Sequence, residues 1–374
     1  MDRSLAAPLL ANRPEFILVL SLSLQAVVIA AILMTVGTLA YLIYIWIRYS
    51  PIVVRIFEER PMFSPLRILP EPGGEAARFR TSDGRELVGT YFRHTASARV
   101  GVLVFCHEYL ADRWTFRPYC EGLREIGFDL FTFDFRNHGD SCADESYKPL
   151  QWVSDLEVVD LKAALDHLAG RADHDPAGFG LFGISRGGGA ALCVAADDPR
   201  VWGVITDGAF PTRGTMMAYI RRWAEIYVGD SFLWTHLAGP LFAFAAWAGR
   251  VRSQYHLGRV YLNVERAVSR IAPRPWLAIH GEKDTYIGPE IARDLFEHAR
   301  EPKELWIVPK AKHNRCRDLE PDVYRLRVID FFRRHAPRRL PVAPDTADST
   351  HVDPDETIAT TYTTEARLTA PVVH

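Results

Sequence analysis

A serine, a carboxylate and a histidine, each just past a predicted strand, stand out because together they make an activated nucleophile. Ser185 lies in Gly183-Ile184-Ser185-Arg186-Gly187, Asp284 closes His280-Gly281-Glu282-Lys283-Asp284, and His313 ends Pro309-Lys310-Ala311-Lys312-His313. A serine hydroxyl is a poor nucleophile at neutral pH and needs a base within hydrogen-bond reach. Histidine suits that task because its pKa is near working pH. It can take the Ser185 proton and later hand it to a leaving group. A carboxylate on the far ring nitrogen fixes the tautomer and stabilises the imidazolium. Glu282 shares the loop with Asp284. His107 and His138 end strands beside tight turns and read as structural. His107-Glu108 has no histidine at position 111, so H-E-x-x-H is absent. The reading therefore includes no metal and no cofactor.

The elements that must position these residues follow from the hydrophobic pattern. Phe179 to Phe182 is a short apolar run that reads as a buried strand, and small residues after Gly187 open a helix. G-x-S-x-G between strand and helix is the setting of a nucleophile elbow. Upstream, Phe79 to Ser82 and Glu86 to Arg93 read as strands joined by an Asp83-Gly84 turn. Val100 to Phe105 and Leu130 to Phe135 are further strands, with a predicted helix, Trp114 to Ile126, between them. Ser154 and Glu157 have capping-box spacing at the start of a helix that Gly170 ends. Downstream come strands Val201 to Thr206, Trp276 to Ile279 and Glu304 to Val308, with helices Pro289 to Ala299 and Asp322 to His335. Strands alternating with helices predict an α/β domain, a mostly parallel sheet covered on both faces.

Phe79 to His335 resembles the α/β-hydrolase family. His107-Glu108-Tyr109 is similar to its oxyanion turn, and Asp134 to Ser141 is similar to D-x-R-G-H-G-x-S. The elbow and the order Ser185, Asp284, His313 match its catalytic order. H-G-x-x-D matches its acid loop and favours Asp284 over Glu282. Within the family the likeness is to membrane-anchored serine hydrolases of the serine-aminopeptidase-like group. The resemblance implies oxyanion donors at the backbone N–H groups of Tyr109 and Arg186. Glu108 stands where the family usually has glycine, which suggests either selectivity for cationic groups or a turn that tolerates a side chain.

The rest of the chain bears on where such an enzyme works. It has 374 residues, 48% of them hydrophobic, with net charge −2, so no basic field points to nucleic acid. Five scattered cysteines without C-x-x-C favour a reducing compartment over a disulfide framework. After a short tail (1–15), residues 16–48 are predicted to form a single transmembrane anchor. Phe16 to Ile47 carries no charge and spans ~48 Å as a helix, beyond the ~30 Å hydrocarbon core. Tyr41, Tyr44, Trp46 and Tyr49 form an interfacial belt at one end. Arg48, Arg55, Arg60 and Arg67 outnumber Arg3 and Arg13, which favours a catalytic domain on the cytoplasmic side. Residues 49–75 read as a Pro-rich linker, 76–337 as the hydrolase domain and 338–374 as a disordered tail.

Residues 211–273 read as a lid insertion. Met216, Tyr219, Ile220, Trp223 and Tyr227 share a helical face, and Phe232 to Gly249 is strongly apolar. A second span here would separate Ser185 from Asp284 and His313, so it is rejected. The lid either folds over an apolar pocket or also dips into the membrane surface. Trp223 and Phe242 are the candidate substrate contacts. The predicted function is membrane-anchored hydrolysis of an ester, its acyl group lipophilic, through an acyl-enzyme. A peptidase or thioesterase uses the same triad, and an inactive anchored domain binding a partner or lipid is the non-enzymatic alternative. A dehalogenase is disfavoured because the elbow carries serine.

Overall fold

A computed structural model of the chain describes residues 14–59, 64–228 and 239–337. Arg3, Arg13, Arg60, Pro61, Phe232 and the 338–374 segment lie outside the described residues, as does the side chain of Tyr227.

An eight-stranded sheet organises the domain, in the spatial order β1-β2-β4-β3-β5-β6-β7-β8. The strands are β1 (Glu75–Arg80), β2 (Glu86–Phe92), β3 (Gly101–Cys106), β4 (Phe128–Phe133), β5 (Phe179–Ile184), β6 (Val201–Asp207), β7 (Trp276–Gly281) and β8 (Lys303–Val308). β1 with β2 and β2 with β4 pair antiparallel; every other neighbour pair is parallel. β3 and β5 are buried at every position, as expected of strands covered on both faces. Edge strand β1 instead alternates buried and exposed residues along its second half.

Two helical layers provide that cover. One contains α2 (Asp155–Ala169) and α3 (Arg186–Asp197), whose Leu161, Leu165 and Leu192 pack with Val104 and Leu181. On the other face, Tyr324, Val328 and Phe331 from a late helix, Pro321–His335, pack with Phe105, Phe182 and Ile205. The Ser154–Glu157 capping box is present at the start of α2.

Three predicted elements differ. Trp114 to Ile126 is not an α-helix. A 3₁₀ turn, Arg113–Phe116, leads into irregular turns, because Pro118 lacks a donor and Gly122 takes a left-handed φ of +80°. The linker predicted over 49–75 is helical in its first part, since α1 runs unbroken from Pro14 to Glu58 through Pro51. A proline inside a helix costs about 3 kcal/mol. Buried Val53 and Phe57, each worth about 1.5–3 kcal/mol, offset that cost. The stretch predicted as a lid, 211–273, holds α4 (Thr212–Val228) and α5 (Gly239–Leu257), whereas α6 (Val264–Val268) belongs to the domain core. Val264, Ala267, Val268 and Ile271 pack in the same cluster as α3, so this segment is cover for the sheet.

Candidate active site

Ser185 occupies the turn between β5 and α3 with φ +51° and ψ −116°, a conformation that a non-glycine residue adopts only when its surroundings impose it. Those surroundings are visible. The Ser185 N–H donates to the Asp207 carbonyl at 2.7 Å, and its carbonyl accepts from Gly189 N–H at 3.1 Å. A Cβ at Gly187 would collide with the carbonyl oxygens of Cys106 and His107, so only glycine lets the elbow lie against the end of β3. Because β3 and β5 are neighbours, the turn at His107–Tyr109 lies beside Ser185. This is the point where strand order reverses, and open α/β sheets bind ligands at such crevices.

The loops after β7 and β8 bring the other two residues to that crevice. Ser185 Oγ is 3.0 Å from His313 Nε2, and His313 Nδ1 is 2.6 Å from Asp284 Oδ2. Asp284 is itself oriented, its Oδ1 accepting from the N–H groups of Tyr286 and Ile287, both at 2.9 Å. Burial works against a charged His313. The Asp284 hydrogen bond and charge, with the charges of Glu108 and Asp207, outweigh it and hold the pKa above the ordinary imidazole value. Burial likewise opposes charge on Asp284, but the bond to His313 and the nearby histidines keep its pKa below the usual aspartate range. A serine, an aligned imidazole and an ionised carboxylate in this order can run nucleophilic acyl transfer.

The family profile described as alpha/beta hydrolase fold matches residues 101–245. The chain has the α/β-hydrolase fold. Among solved structures, the Pyrococcus furiosus esterase Pf2001 superposes with a TM-score of 0.54 at 21% identity, covering 74% of this chain and 99% of that one. The hypothetical protein PA2218 of Pseudomonas aeruginosa gives 0.52 at 20% identity, covering 73% and 99%. Among curated proteins, YfhR of Escherichia coli K12, named as uncharacterized, is 26% identical over 270 residues, 70% of this chain and 82% of that protein. Rv2307c of Mycobacterium tuberculosis, likewise named as uncharacterized, is 26% identical over 264 residues, 70% and 79%.

Two positions where this chain departs from the α/β-hydrolase pattern have structural explanations. Asn137 replaces the first glycine of D-x-R-G-H-G-x-S and adopts φ +59°, the left-handed region that asparagine tolerates. Glu108 is not left-handed; Leu110, with φ +62°, takes that role in the β3 turn. The Glu108 side chain is buried. Its Oε1 accepts from Leu66 N–H at 3.3 Å and its Oε2 accepts from Asn314 Nδ2. The carboxylate thus ties the turn after β3 to the residue after His313 and points away from solvent. Sequence reasoning missed the Asn314 partner, which has no motif and is adjacent only through the fold.

The remaining predicted site residues fall into separate roles. Tyr109 is buried with its hydroxyl donating to the Pro149 carbonyl at 3.1 Å. The Arg186 side chain donates to the Leu150 carbonyl at 2.9 Å and lies 3.3 Å from Glu157. Their side chains therefore brace the turn and the elbow. His107 and His138 are buried and held towards the neutral form by that burial. Each has Nδ1 on a backbone carbonyl, Glu108 and Arg136 respectively, as structural histidines do.

A groove of about 750 Å³ separates α4 from the acid loop, lined by Met217, Tyr219, Arg222, Asp284, Tyr286 and Ile291 among others. The Tyr286 ring is 5.9 Å from the His313 ring, so one wall of the groove adjoins the base. Trp223 and Phe242 do not line it. Trp223 is half-buried one turn beyond Tyr219. Phe242 packs against an apolar cluster that contains Val53, Phe57 and Trp152. That cluster draws it towards α1, whereas Tyr219 and Tyr286 line the groove.

Proposed function

We propose that this protein is a serine hydrolase that cleaves carboxylic esters and is held at a membrane by α1. The observation that supports it most is the hydrogen-bond chain from Ser185 Oγ through His313 to Asp284 at the elbow. His313 Nε2 takes the hydroxyl proton as Ser185 Oγ bonds to the ester carbonyl carbon. The carbonyl π electrons move to its oxygen, where the N–H groups of Tyr109 and Arg186 receive the developing charge. Collapse re-forms the carbonyl, breaks the C–O bond and passes the His313 proton to the departing alcohol. Water then attacks the acyl-enzyme, its proton taken by His313; collapse breaks the C–Oγ bond, returns that proton to Ser185 Oγ and releases the acid.

The lipophilic acyl preference rests on the apolar layer above the sheet end, which includes Trp152, Phe210, Met216, Ile220 and Ile287. Each buried CH₂ contributes about 0.8 kcal/mol, roughly fourfold in rate constant. Lengthening the acyl chain of an activated ester should therefore raise kcat/KM severalfold per methylene until the pocket is full. Equal rates for acetyl and decanoyl esters, or a best substrate that is an aminoacyl amide, would replace this reading with the peptidase one.

For the anchor, residues 18–41 of α1 are exposed along their whole length and apolar, a state that water does not support but a bilayer does. The full chain should stay with membranes through carbonate and high-salt washing. The basic residues after the span favour a catalytic domain on the cytoplasmic side. That side also keeps reduced the five cysteines, which are all free thiols here. Protease protection of the domain in sealed inverted vesicles would contradict this orientation.

A further inference from the structure

α1 and α5 are separate in sequence but lie side by side, and they run in the same direction. The Trp46 and Trp247 rings are 6.0 Å apart; further along, Gly249 abuts Val53 and Ser253 Oγ donates to Glu58 at 2.9 Å. α1 has one covered stripe, Leu42, Ile45, Trp46, Ser50, Val53 and Phe57, at the spacing of a single helix face. It starts five residues before Ile47, so α5 accompanies α1 for ~8 Å into its uncharged stretch.

The charge boundaries of the two helices lie within about 8 Å of each other along the pair, since Gly249, the last uncharged residue of α5, abuts Val53, five residues past Arg48. α1 is uncharged from Phe16 to Ile47 and meets Arg48 two residues after Trp46. α5 is uncharged from Gly239 to Gly249 and meets Arg250 three residues after Trp247. The outward face of α5 changes character close to that level. Pro240, Ala243 and Trp247 are exposed before it; Arg252, Tyr255 and His256 are exposed after it. Arg252 and His256 also reach across to Ser50 and Glu58 on α1, at 3.2 Å in each case, on the polar side. Two helices from distant parts of the chain thus mark one interfacial zone, with paired tryptophans where a bilayer interface favours them.

We infer that the first three turns of α5, Gly239 to Gly249, are embedded in the same bilayer leaflet as the end of α1. The lid is then a membrane-inserted element, and the partner of its exposed apolar face is lipid. The inference rests on the reading of α1 as a membrane anchor. It deepens that reading by giving the lid its own immersion depth. Lipid continues from the exposed surface of α1 onto α5 without a break in the apolar surface. With α4 and α5 both packed on this apolar layer, a lipophilic ester would reach the groove from the leaflet, without crossing water.

The test uses the full chain in phosphatidylcholine vesicles with Cys142→Ser, since the other four cysteines are buried. An environment-sensitive fluorophore is attached in turn to cysteine at position 33 on α1, 243 on α5 and 255 beyond the boundary. All three positions are exposed. Quenching by acyl-chain spin-labelled lipid is compared with quenching by aqueous iodide. Probes at 33 and 243 should be quenched severalfold more by lipid than by iodide, with the reverse at 255. A lipid-quenched probe at 33 with an iodide-quenched probe at 243 would overturn the inference and leave the anchor standing. A probe at 243 shielded from both would mean a protein surface covers α5, which also overturns it. A probe at 33 beyond reach of spin-labelled lipid would overturn the anchor and the inference together. Pro240→Cys replaces Ala243→Cys should that variant not fold.

Discussion

The elbow and the lid layer lie at the same end of the sheet, yet they are specified in opposite ways. At the elbow, backbone meets backbone. Gly187 admits no Cβ, Ser185 sits at a positive φ, and the Ser185 N–H is fixed by a β6 carbonyl. Over it, α1, α4 and α5 meet through Val53, Phe57, Met216, Ile220 and Ala246 around Trp152, apolar side chains for which several others would serve. Chemistry needs one geometry to a fraction of an ångström. Covering a site and reaching a membrane need area and polarity in the right place. The first requirement leaves a motif in the sequence, and the second leaves only a pattern.

This contrast can be broken first at the base. His313→Ala should lower kcat on the order of 10⁴-fold with little change in KM, since the imidazole acts on the proton and not on substrate binding. In the unmodified protein, kcat/KM should rise with pH through an apparent pKa above 6.5, because His313 must be neutral to act and its pKa is raised. Stability should move the other way. A raised folded-state pKa stabilises the fold below the unfolded value, and this contribution is lost as pH climbs through the folded one. A kinetic limb below 6.5, or a Tm that is unaffected by removing His313 across this window, would detach the imidazole from Asp284.

The next test is steric. Gly187→Ala should destabilise the fold by more than about 4 kcal/mol, read as a lost or greatly lowered unfolding transition, because the new methyl meets two carbonyls. Ala243→Leu, on the exposed face of α5, should stay within about 0.5 kcal/mol in the same assay. Similar effects from both would erase the distinction between the two regions.

A smaller effect is expected at Glu108. Glu108→Gln keeps a hydrogen-bonding side chain beside Leu66 and Asn314 but removes a negative charge near His313. The kinetic limb should move to lower pH while KM holds. An unchanged profile would reduce Glu108 to packing. A further test is Trp152→Phe, which removes the 2.8 Å bond from Nε1 to the Phe57 carbonyl. It should cost about 1 kcal/mol in stability and leave acetyl-ester turnover intact. A chain begun at Pro70 would expose Trp152, Phe210 and Met216, so it should aggregate where one begun at Ser50 remains dispersed.

The parallel sheet, the capping box on α2 and the three residues now found within hydrogen-bond reach of one another were legible. Each depends on local pattern plus the order of strand-end loops. What escaped was tertiary. Residues 49–75 read as a linker because the sequence does not show that Val53 and Phe57 have a surface to bury against. Trp114 to Ile126 looked helical because its apolar spacing was read ahead of Pro118 and Gly122. Val264 to Ile271 was assigned to the lid because the connection is long, although those residues face the core. Asn314, which binds Glu108 across the crevice, lies 206 residues away from it in the chain, and no spacing rule connects them.

The central claim is that Ser185 attacks substrate. Folded protein treated with a fluorophosphonate and digested for peptide mass spectrometry should carry a single adduct on Ser185, and the adduct should vanish in Ser185→Ala and fall sharply in His313→Ala. An adduct on another serine, or none on protein shown to be folded, would contradict it.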